Sequence, residues 1–149
     1  MRKSKHVFDF NDSGVKSPKS EMEILMDKIL ELKRFGFIGF GLIGGSVAHA
    51  IRELYPEAEI MAYNYYETRP HPRLNMALSD GVLSRVTIDL ADFSKCDAIF
   101  LCAPVKTNVS YLKKLLPHLS PDCMLTDVGS VKGDIVAAIQ EAGITEQFI

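Results

Sequence analysis

The chain has 149 residues, of which 47% are hydrophobic and 24% are charged, and its formal net charge is −2. These values are typical of a single globular domain, and so small a net charge does not favour a nucleic-acid or membrane partner. No apolar run approaches the roughly 20 residues of a membrane span, and the N-terminus lacks the apolar core of a signal peptide. We therefore expect a cytoplasmic protein.

The N-terminal third of the chain begins with two segments that carry no motif. Residues 1–20 are polar and predict a flexible tail, to which we assign no function. Residues 21–33 space their apolar side chains as in an amphipathic helix, with acidic residues early and basic residues late. We expect this leading helix to cover one edge of a domain whose core runs from 35 to 149.

From residue 35 onward, short apolar runs alternate with helical patterns. The predicted elements are a strand at 35–38, a helix at 42–54, a strand at 59–63, a helix at 74–79, strands at 86–88 and 97–102, a helix at 108–116, a strand at 123–126, a helix at 131–142 and the start of a strand at 147–149. Near-continuous apolar strands separated by helices predict an α/β fold with a parallel sheet covered on both faces. We expect the Rossmann-type, doubly wound order 3-2-1-4-5-6, cut off in the sixth strand, with ligands at the carboxyl ends of the strands.

Three glycines follow the first predicted strand at the spacing G-x-G-x-x-G: Gly39, Gly41 and Gly44. Between a strand and a helix, the first glycine makes the tight turn and the second lets a pyrophosphate approach bare backbone. The third lets the helix pack closely on the strand, and the start of that helix offers free N–H groups and a partial positive charge. The segment predicts a dinucleotide site.

The identity of the dinucleotide depends on the end of the second predicted strand. In such folds a carboxylate about 20 residues past the glycines holds the adenosine ribose, and the residue 20 positions after Gly44 is Asn64. Asparagine removes the charge that would repel the additional phosphate of NADP, and it still hydrogen-bonds a ribose hydroxyl. Arg69 is near enough in sequence to reach that phosphate, although a solvated loop arginine is more common. NAD and NADP both stay open, with NAD slightly favoured.

The cysteines and histidines of the chain do not indicate a metal site. The three cysteines form no C-x-x-C pair, and the four histidines are scattered without metal-ligand spacing. Cys102 and Cys123 lie in strand-like apolar runs, where cysteine is usually a small buried hydrophobe. We predict no bound metal.

A second motif, L-T-D-V-G-S-V-K, spans Leu125–Lys132 at a strand–turn–helix junction. One interpretation is structural: Ser130 is the N-cap of the following helix, and Lys132 faces solvent in its first turn. The other is functional, because the turn falls at the carboxyl edge of the fifth strand, beside the expected nicotinamide. There, Ser130 would hydrogen-bond a substrate or cofactor group.

Taken together, these residues resemble the N-terminal domain of prephenate dehydrogenases, with arogenate dehydrogenases as close relatives. The resemblance covers about 35–149 and rests on G-F-G-L-I-G-G-S (39–46), A-I-F-L-C-A-P-V (98–105) and T-D-V-G-S-V-K (126–132). It implies an NAD(P)-dependent oxidoreductase of tyrosine biosynthesis. Such an enzyme decarboxylates prephenate oxidatively to 4-hydroxyphenylpyruvate.

The resemblance also implies roles for individual residues. The three glycines would bind the pyrophosphate with the backbone N–H groups of Leu42 and Ile43, and Asn64 would meet the adenosine ribose. The ribose and nicotinamide side would be lined by Ala103, Pro104 and Val105. Ser130 would contact substrate and orient the cofactor near the reacting carbon.

The family pattern continues beyond this sequence. In the family, a Gly-Gly-His-Pro motif at the sixth strand supplies the proton acceptor, and a helical second domain binds the substrate carboxylates and forms most of a homodimer interface. The sequence stops at F-I, where that motif would begin, so we expect a fragment that binds a dinucleotide and is inactive or nearly so. The alternatives are a regulatory module that binds a dinucleotide without turnover and, more distantly, another β-hydroxyacid-type dehydrogenase.

Overall fold

A computed structural model describes residues 20, 24, 27, 29–65, 69 and 71–149. The chain divides into two units, Met1–Glu31 and Leu32–Ile149. In the first unit, residues 24, 27, 29 and 30 are helical, and the predicted leading helix does not continue through 32 and 33. The predicted tail, apart from Ser20, and much of the predicted leading helix lie outside the described residues.

The second unit alternates strands and helices in the predicted order. Its elements are β1 (Arg34–Ile38), α1 (Leu42–Leu54), β2 (Glu59–Tyr63), α2 (Pro72–Ser79), β3 (Arg85–Thr87), β4 (Ala98–Leu101), α3 (Val105–Leu115), β5 (Met124–Asp127) and α4 (Gly133–Ala142). Short 3₁₀ helices occupy Leu90–Lys95, Leu116–His118 and Thr145–Gln147. The bounds of α1 and β2 are those expected from the sequence.

The five strands form one parallel sheet in the order β3-β2-β1-β4-β5. This is the predicted doubly wound order, and the Rossmann-type α/β fold is therefore confirmed. The expected sixth strand is represented by a parallel bridge between Leu125 and Phe148, next to β5, where the Ile149 N–H donates to the Leu125 carbonyl at 2.9 Å. Of the residues predicted for that strand, 147–149, Gln147 instead ends the 3₁₀ helix Thr145–Gln147.

Three helices begin at other residues than predicted. The α2 helix begins at Pro72 because the Nδ1 atom of His71 accepts a hydrogen bond from the N–H of Arg73, and proline suits a first helical position. The α3 helix begins directly after Pro104, at residue 105 rather than 108. The α4 helix begins two residues later than expected, at 133. Strands β1, β3, β4 and β5 differ from their predicted bounds by one residue at one or both ends.

Alternate residues of the central strands pack into two separate hydrophobic clusters. In β1, Phe35 and Phe37 belong to one cluster and Ile38 to the other. The Phe37 ring stacks on that of Phe100 in β4, with centroids 5.0 Å apart. Burial on both faces is what a parallel sheet between helices requires, and it leaves the strand ends as the accessible edge.

Candidate functional site

The turn between β1 and α1 requires glycine at position 39. Gly39 has φ +88°, a region that side chains other than glycine rarely adopt. A Cβ atom at this position would lie 2.5 Å from the backbone nitrogen of Ala103. The turn is therefore pressed against the loop that follows β4.

Gly41 differs from Gly39 because the space around it is open. Its φ of −85° is accessible to any residue, and a Cβ atom there would meet nothing within 4 Å. Gly41 is the N-cap of α1 and provides no side-chain hydrogen bond, while the next two residues, Leu42 and Ile43, are exposed. The first backbone N–H groups of a helix lack intrahelical acceptors, so this end of α1 presents donors to an open space.

Gly44 lies where α1 crosses the sheet. A Cβ atom at Gly44 would be 2.7 Å from the carbonyl oxygen of Gly39 and 3.2 Å from the Cβ of Cys102. Alanine would therefore force the helix away from β1 and β4. The three glycines have the geometries that a tight turn, an open phosphate approach and a close helix–strand contact require.

A cavity of about 260 Å³ lies between this turn, the end of β2 and the start of α2. Its lining comprises Gly39, Phe40, Gly41, Tyr63, Tyr65, His71, Arg73 and Leu74. The side chain of Asn64 is only 2% exposed, and its Nδ2 donates to the carbonyl of Arg69 at 3.0 Å. At least one polar group of Asn64 is thus used to hold the loop after β2, and Arg69 itself is exposed.

The carboxyl ends of β4 and β5 are joined by one buried side chain, Asn108 of α3. Its Oδ1 accepts from the Ala103 N–H at 3.0 Å. Its Nδ2 donates to the Leu101 carbonyl at 3.1 Å and to Asp127 Oδ1 at 2.9 Å. Asn108 is fully buried, so these contacts satisfy polar groups that would otherwise be costly to bury. They also hold Ala103, directly before Pro104 and Val105, in place.

The loop after β5 presents Ser130 and is closed by Lys132. The Nζ atom of Lys132 donates to the backbone carbonyl of Asp127 at 2.6 Å and to its Oδ2 at 2.9 Å. The N-cap of α4 is Lys132, without a side-chain cap bond, so the interpretation of Ser130 as N-cap is wrong. Lys132 is exposed as predicted, but it precedes the first turn of α4, and its ammonium group reaches back to the strand. Ser130 is exposed.

Comparison with known proteins agrees with this geometry. Residues 47–149 match the family model described as prephenate dehydrogenase, nucleotide-binding domain. The chain belongs to this family. The prephenate dehydrogenase of Lactococcus lactis subsp. cremoris is 30% identical over 121 residues, which are 79% of this chain and 33% of that protein.

Two solved structures give the same result. Prephenate dehydrogenase from Aquifex aeolicus, in complex with hydroxyphenyl propionate and NAD+, is 28% identical with a TM-score of 0.68 over 79% of this chain and 40% of that one. Synechocystis arogenate dehydrogenase is 29% identical with a TM-score of 0.64 over 73% of this chain and 37% of that one. The chain spans about a third of the length of the curated relative. These matches show that the chain contains the nucleotide-binding domain of a dehydrogenase family.

Sequence reasoning missed several residues of this nucleotide-binding domain. Tyr65, His71 and Arg73 line the cavity of about 260 Å³, and nothing in their local pattern distinguishes them from ordinary loop residues. Asn108 did carry a signal, because it shares the buried face of α3 with Leu112 and Leu115. An amide on an apolar helix face indicates a buried hydrogen-bonding role.

The three cysteines form no disulfide; Cys96 and Cys123 are buried, and Cys102 is half-buried. Burial raises the pKa of Cys96 and of Cys102 to about 12, with smaller contributions from nearby negative charges. Burial likewise raises the pKa of Cys123 to about 12. Within the described part of the chain, no group of histidine, cysteine and carboxylate side chains is arranged to hold a metal ion.

The lengths of the helices also bear on membrane association. Among the residues that the structure describes, no helix is both long and apolar enough to cross a bilayer. The longest of the family domain's helices, α1, has 13 residues.

Proposed function

We propose that this chain is the NAD-binding part of a cytoplasmic enzyme that oxidises prephenate with loss of carbon dioxide, a step towards tyrosine. In that reaction a hydride leaves the ring carbon bearing the hydroxyl for the cofactor, while the hydroxyl passes its proton to a base. The ring carboxylate leaves as carbon dioxide, its bonding electrons complete the aromatic ring, and the ring oxygen regains a proton as the phenol. The observation that carries the proposal is the open backbone at Gly41, at the head of α1 and at the carboxyl edge of the sheet. Membership of the family supports the choice of reaction.

The cofactor-binding roles follow the shape of this edge. The pyrophosphate would lie over Gly41, held by the N–H groups of Leu42 and Ile43, while Gly39 and Gly44 keep the turn closed. Asn64 would meet the adenosine ribose, and Arg69 would be within reach of the additional phosphate of NADP. The ribose and nicotinamide side would be lined by Ala103, Pro104 and Val105.

We assign the cofactor as NAD in preference to NADP. Support comes from the related Aquifex aeolicus structure, whose complex contains NAD+. Arg73 lines the cavity beside the end of β2 and Arg69 is exposed nearby, so a cationic group is available to both cofactors. A tenfold preference for NADP in a binding titration would overturn this assignment.

The bound dinucleotide would supply the acceptor for the hydride. Ser130 would donate or accept a hydrogen bond beside the reacting carbon, and its exposure leaves the hydroxyl available for that contact. The histidines in the described part of the chain, at positions 49, 71 and 118, do not lie at the carboxyl ends of β4 or β5. We therefore expect these 149 residues to bind the dinucleotide and not to turn over substrate by themselves.

Arogenate is the second candidate substrate. The favouring observation is the likeness to Synechocystis arogenate dehydrogenase, at 29% identity and a TM-score of 0.64. Arogenate differs from prephenate in carrying an amino group in place of the side-chain ketone. Steady-state rates with each substrate, in an enzyme that contains this domain, decide between them.

The direct test of the proposal is calorimetric titration of this chain with NAD and with NADP. We expect saturable binding of NAD, weaker binding of NADP, and loss of binding in Gly41→Val. A folded sample that binds neither dinucleotide would contradict the proposal. The Gly45→Ala variant is the matched control, because a Cβ atom there meets only the Phe40 ring at 3.8 Å.

A further inference from the structure

The carboxylate of Asp127 is the centre of a buried polar cluster between two loops. Asp127 is 6% exposed, and both of its oxygens are used: Oδ1 accepts from Asn108 and Oδ2 from Lys132, each at 2.9 Å. A buried carboxylate needs such partners, since removing it from water without them is strongly unfavourable. The loop runs directly over it, because a Cβ atom at Gly129 would lie 3.1 Å from Oδ2.

Lys132 closes the loop that carries Ser130. Its ammonium group bonds both the side chain and the backbone carbonyl of Asp127, so the two ends of the segment 127–132 are joined. At its start the segment is also held to the sheet by the bond from Asn108 to Asp127 Oδ1 and by a longer one, from the Val128 N–H to the Leu101 carbonyl at 3.3 Å. Removing the ammonium group would take away both contacts of Lys132 with Asp127 and leave these bonds at the start of the segment.

The same cluster reaches the loop after β4. Asn108 bonds Asp127 with its amide nitrogen and the Ala103 N–H with its carbonyl oxygen. The side chain of Asn108 therefore connects the segments 102–105 and 127–132, although they are more than 20 residues apart in sequence. Both lie at the carboxyl edge of the sheet, where adjacent strands β4 and β5 end.

We propose that Lys132 is a positioning residue for the dinucleotide, which acts through Asp127 and Asn108 to hold these two segments in the arrangement that binds the nicotinamide side. The inference rests on the proposed cofactor site. Lys132 acts through its charge and its hydrogen bonds rather than through packing, because about half of its side chain is exposed. Lys132→Arg should therefore keep the two segments in place, because arginine retains the positive charge and hydrogen-bond donors, and Lys132→Met should not.

The test compares Lys132→Met, Lys132→Arg and the control Lys113→Met, whose lysine is exposed on α3. If, without cofactor, the segments 102–105 and 127–132 of Lys132→Met adopt the arrangement that binds NAD only about a tenth of the time, the affinity for NAD falls about tenfold. Lys132→Arg and Lys113→Met should stay within about threefold of the unmodified chain. Amide hydrogen exchange by NMR, without cofactor, should rise at Ala103 and at 128–130 in Lys132→Met alone.

Each outcome bears on the proposal. Unchanged exchange at Ala103 in Lys132→Met would overturn it, and so would a failure of Lys132→Arg to restore affinity. Faster exchange across every strand, with a lower melting temperature, would make Lys132 a structural residue and would also overturn it. If the unmodified chain binds neither dinucleotide, the proposed function fails, and the exchange data alone decide whether Lys132 holds the two segments.

Discussion

Replacing Gly41 with valine separates the binding role of the glycine turn from its structural role. The backbone of Gly41, at φ −85° and ψ −155°, is accessible to valine, and its Cβ would project into space with no atom within 4 Å. Glycine is a moderate N-cap residue, and an apolar residue at that position costs about 1 kcal/mol or less relative to it. We expect a melting temperature lower by no more than about 2–4 °C.

The effect on binding should be much larger. A pyrophosphate over Gly41 would accept hydrogen bonds from the first N–H groups of α1, and bonds to charged groups contribute about 1.5–3 kcal/mol each. The branched side chain of valine would occupy the position of the phosphate and prevent at least two of these bonds. Their loss corresponds to about 3–6 kcal/mol, or a decrease in affinity of about 10²–10⁴-fold.

The assay is calorimetric titration with NAD, paired with thermal unfolding, for the unmodified chain, Gly41→Val and Gly45→Ala. Alanine in place of glycine inside a helix stabilises it by up to about 1 kcal/mol, so Gly45→Ala should melt about 2–4 °C higher and bind NAD unchanged. Unchanged NAD affinity in Gly41→Val would refute the assignment of this turn. Global unfolding of that variant would refute the claim that the space above Gly41 is open.

Three further outcomes are expected. Gly44→Ala should lower stability by about 1–3 kcal/mol in thermal unfolding, because its Cβ would lie 2.7 Å from a backbone oxygen. Burial raises the pKa of Asp97, but hydrogen bonds from Arg34 and from two backbone N–H groups lower it by more. The ionised carboxylate therefore stabilises the folded chain above about pH 4, and this stabilisation is lost at lower pH. At pH 7 the melting temperature of Asp97→Asn should be lower than that of the unmodified chain. At pH 2–3 the two melting temperatures should be closer together. Ser130→Ala, in an enzyme that contains this domain, should lower kcat more than NAD affinity and leave the melting temperature unchanged; a lower melting temperature alone would contradict the assigned role.

Local sequence rules predicted the element order well but misjudged where helices begin. The sequence predicts α3 from residue 108, whereas α3 begins directly after Pro104, its N-cap. The predicted α2 is likewise too short at its start, because the helix begins at Pro72 rather than at residue 74. Proline lacks the N–H that a first helical residue would leave unpaired, so it suits the position that Pro72 occupies. The 3₁₀ helix at Leu90–Lys95 went unpredicted; it is six residues long, and the Asp89 side chain at its N-cap accepts a hydrogen bond from the Ala91 N–H.

The residues of the candidate site likewise include some that the sequence predicts and some that it does not. The glycine turn could be predicted because its requirements are local: a positive φ at Gly39, open space at Gly41 and a close crossing at Gly44. The contact between Asn108 and Asp127 could not, because it joins residues 19 positions apart through the pairing of β4 with β5. No short motif encodes that register.

The glycine turn after β1 and the loop after β4 meet at Ala103, whose amide reports on both. The backbone of Gly39 is packed against the backbone of Ala103, and Ala103 is bonded to Asn108. A change at Gly41 projects away from this contact, so Gly41→Val should leave hydrogen exchange at Ala103 unaltered. A change at Lys132 acts on Ala103 through Asn108 and should raise the rate of hydrogen exchange at the Ala103 amide. Exchange at this one amide therefore distinguishes direct obstruction of the phosphate from loss of positioning, even when both variants bind NAD weakly.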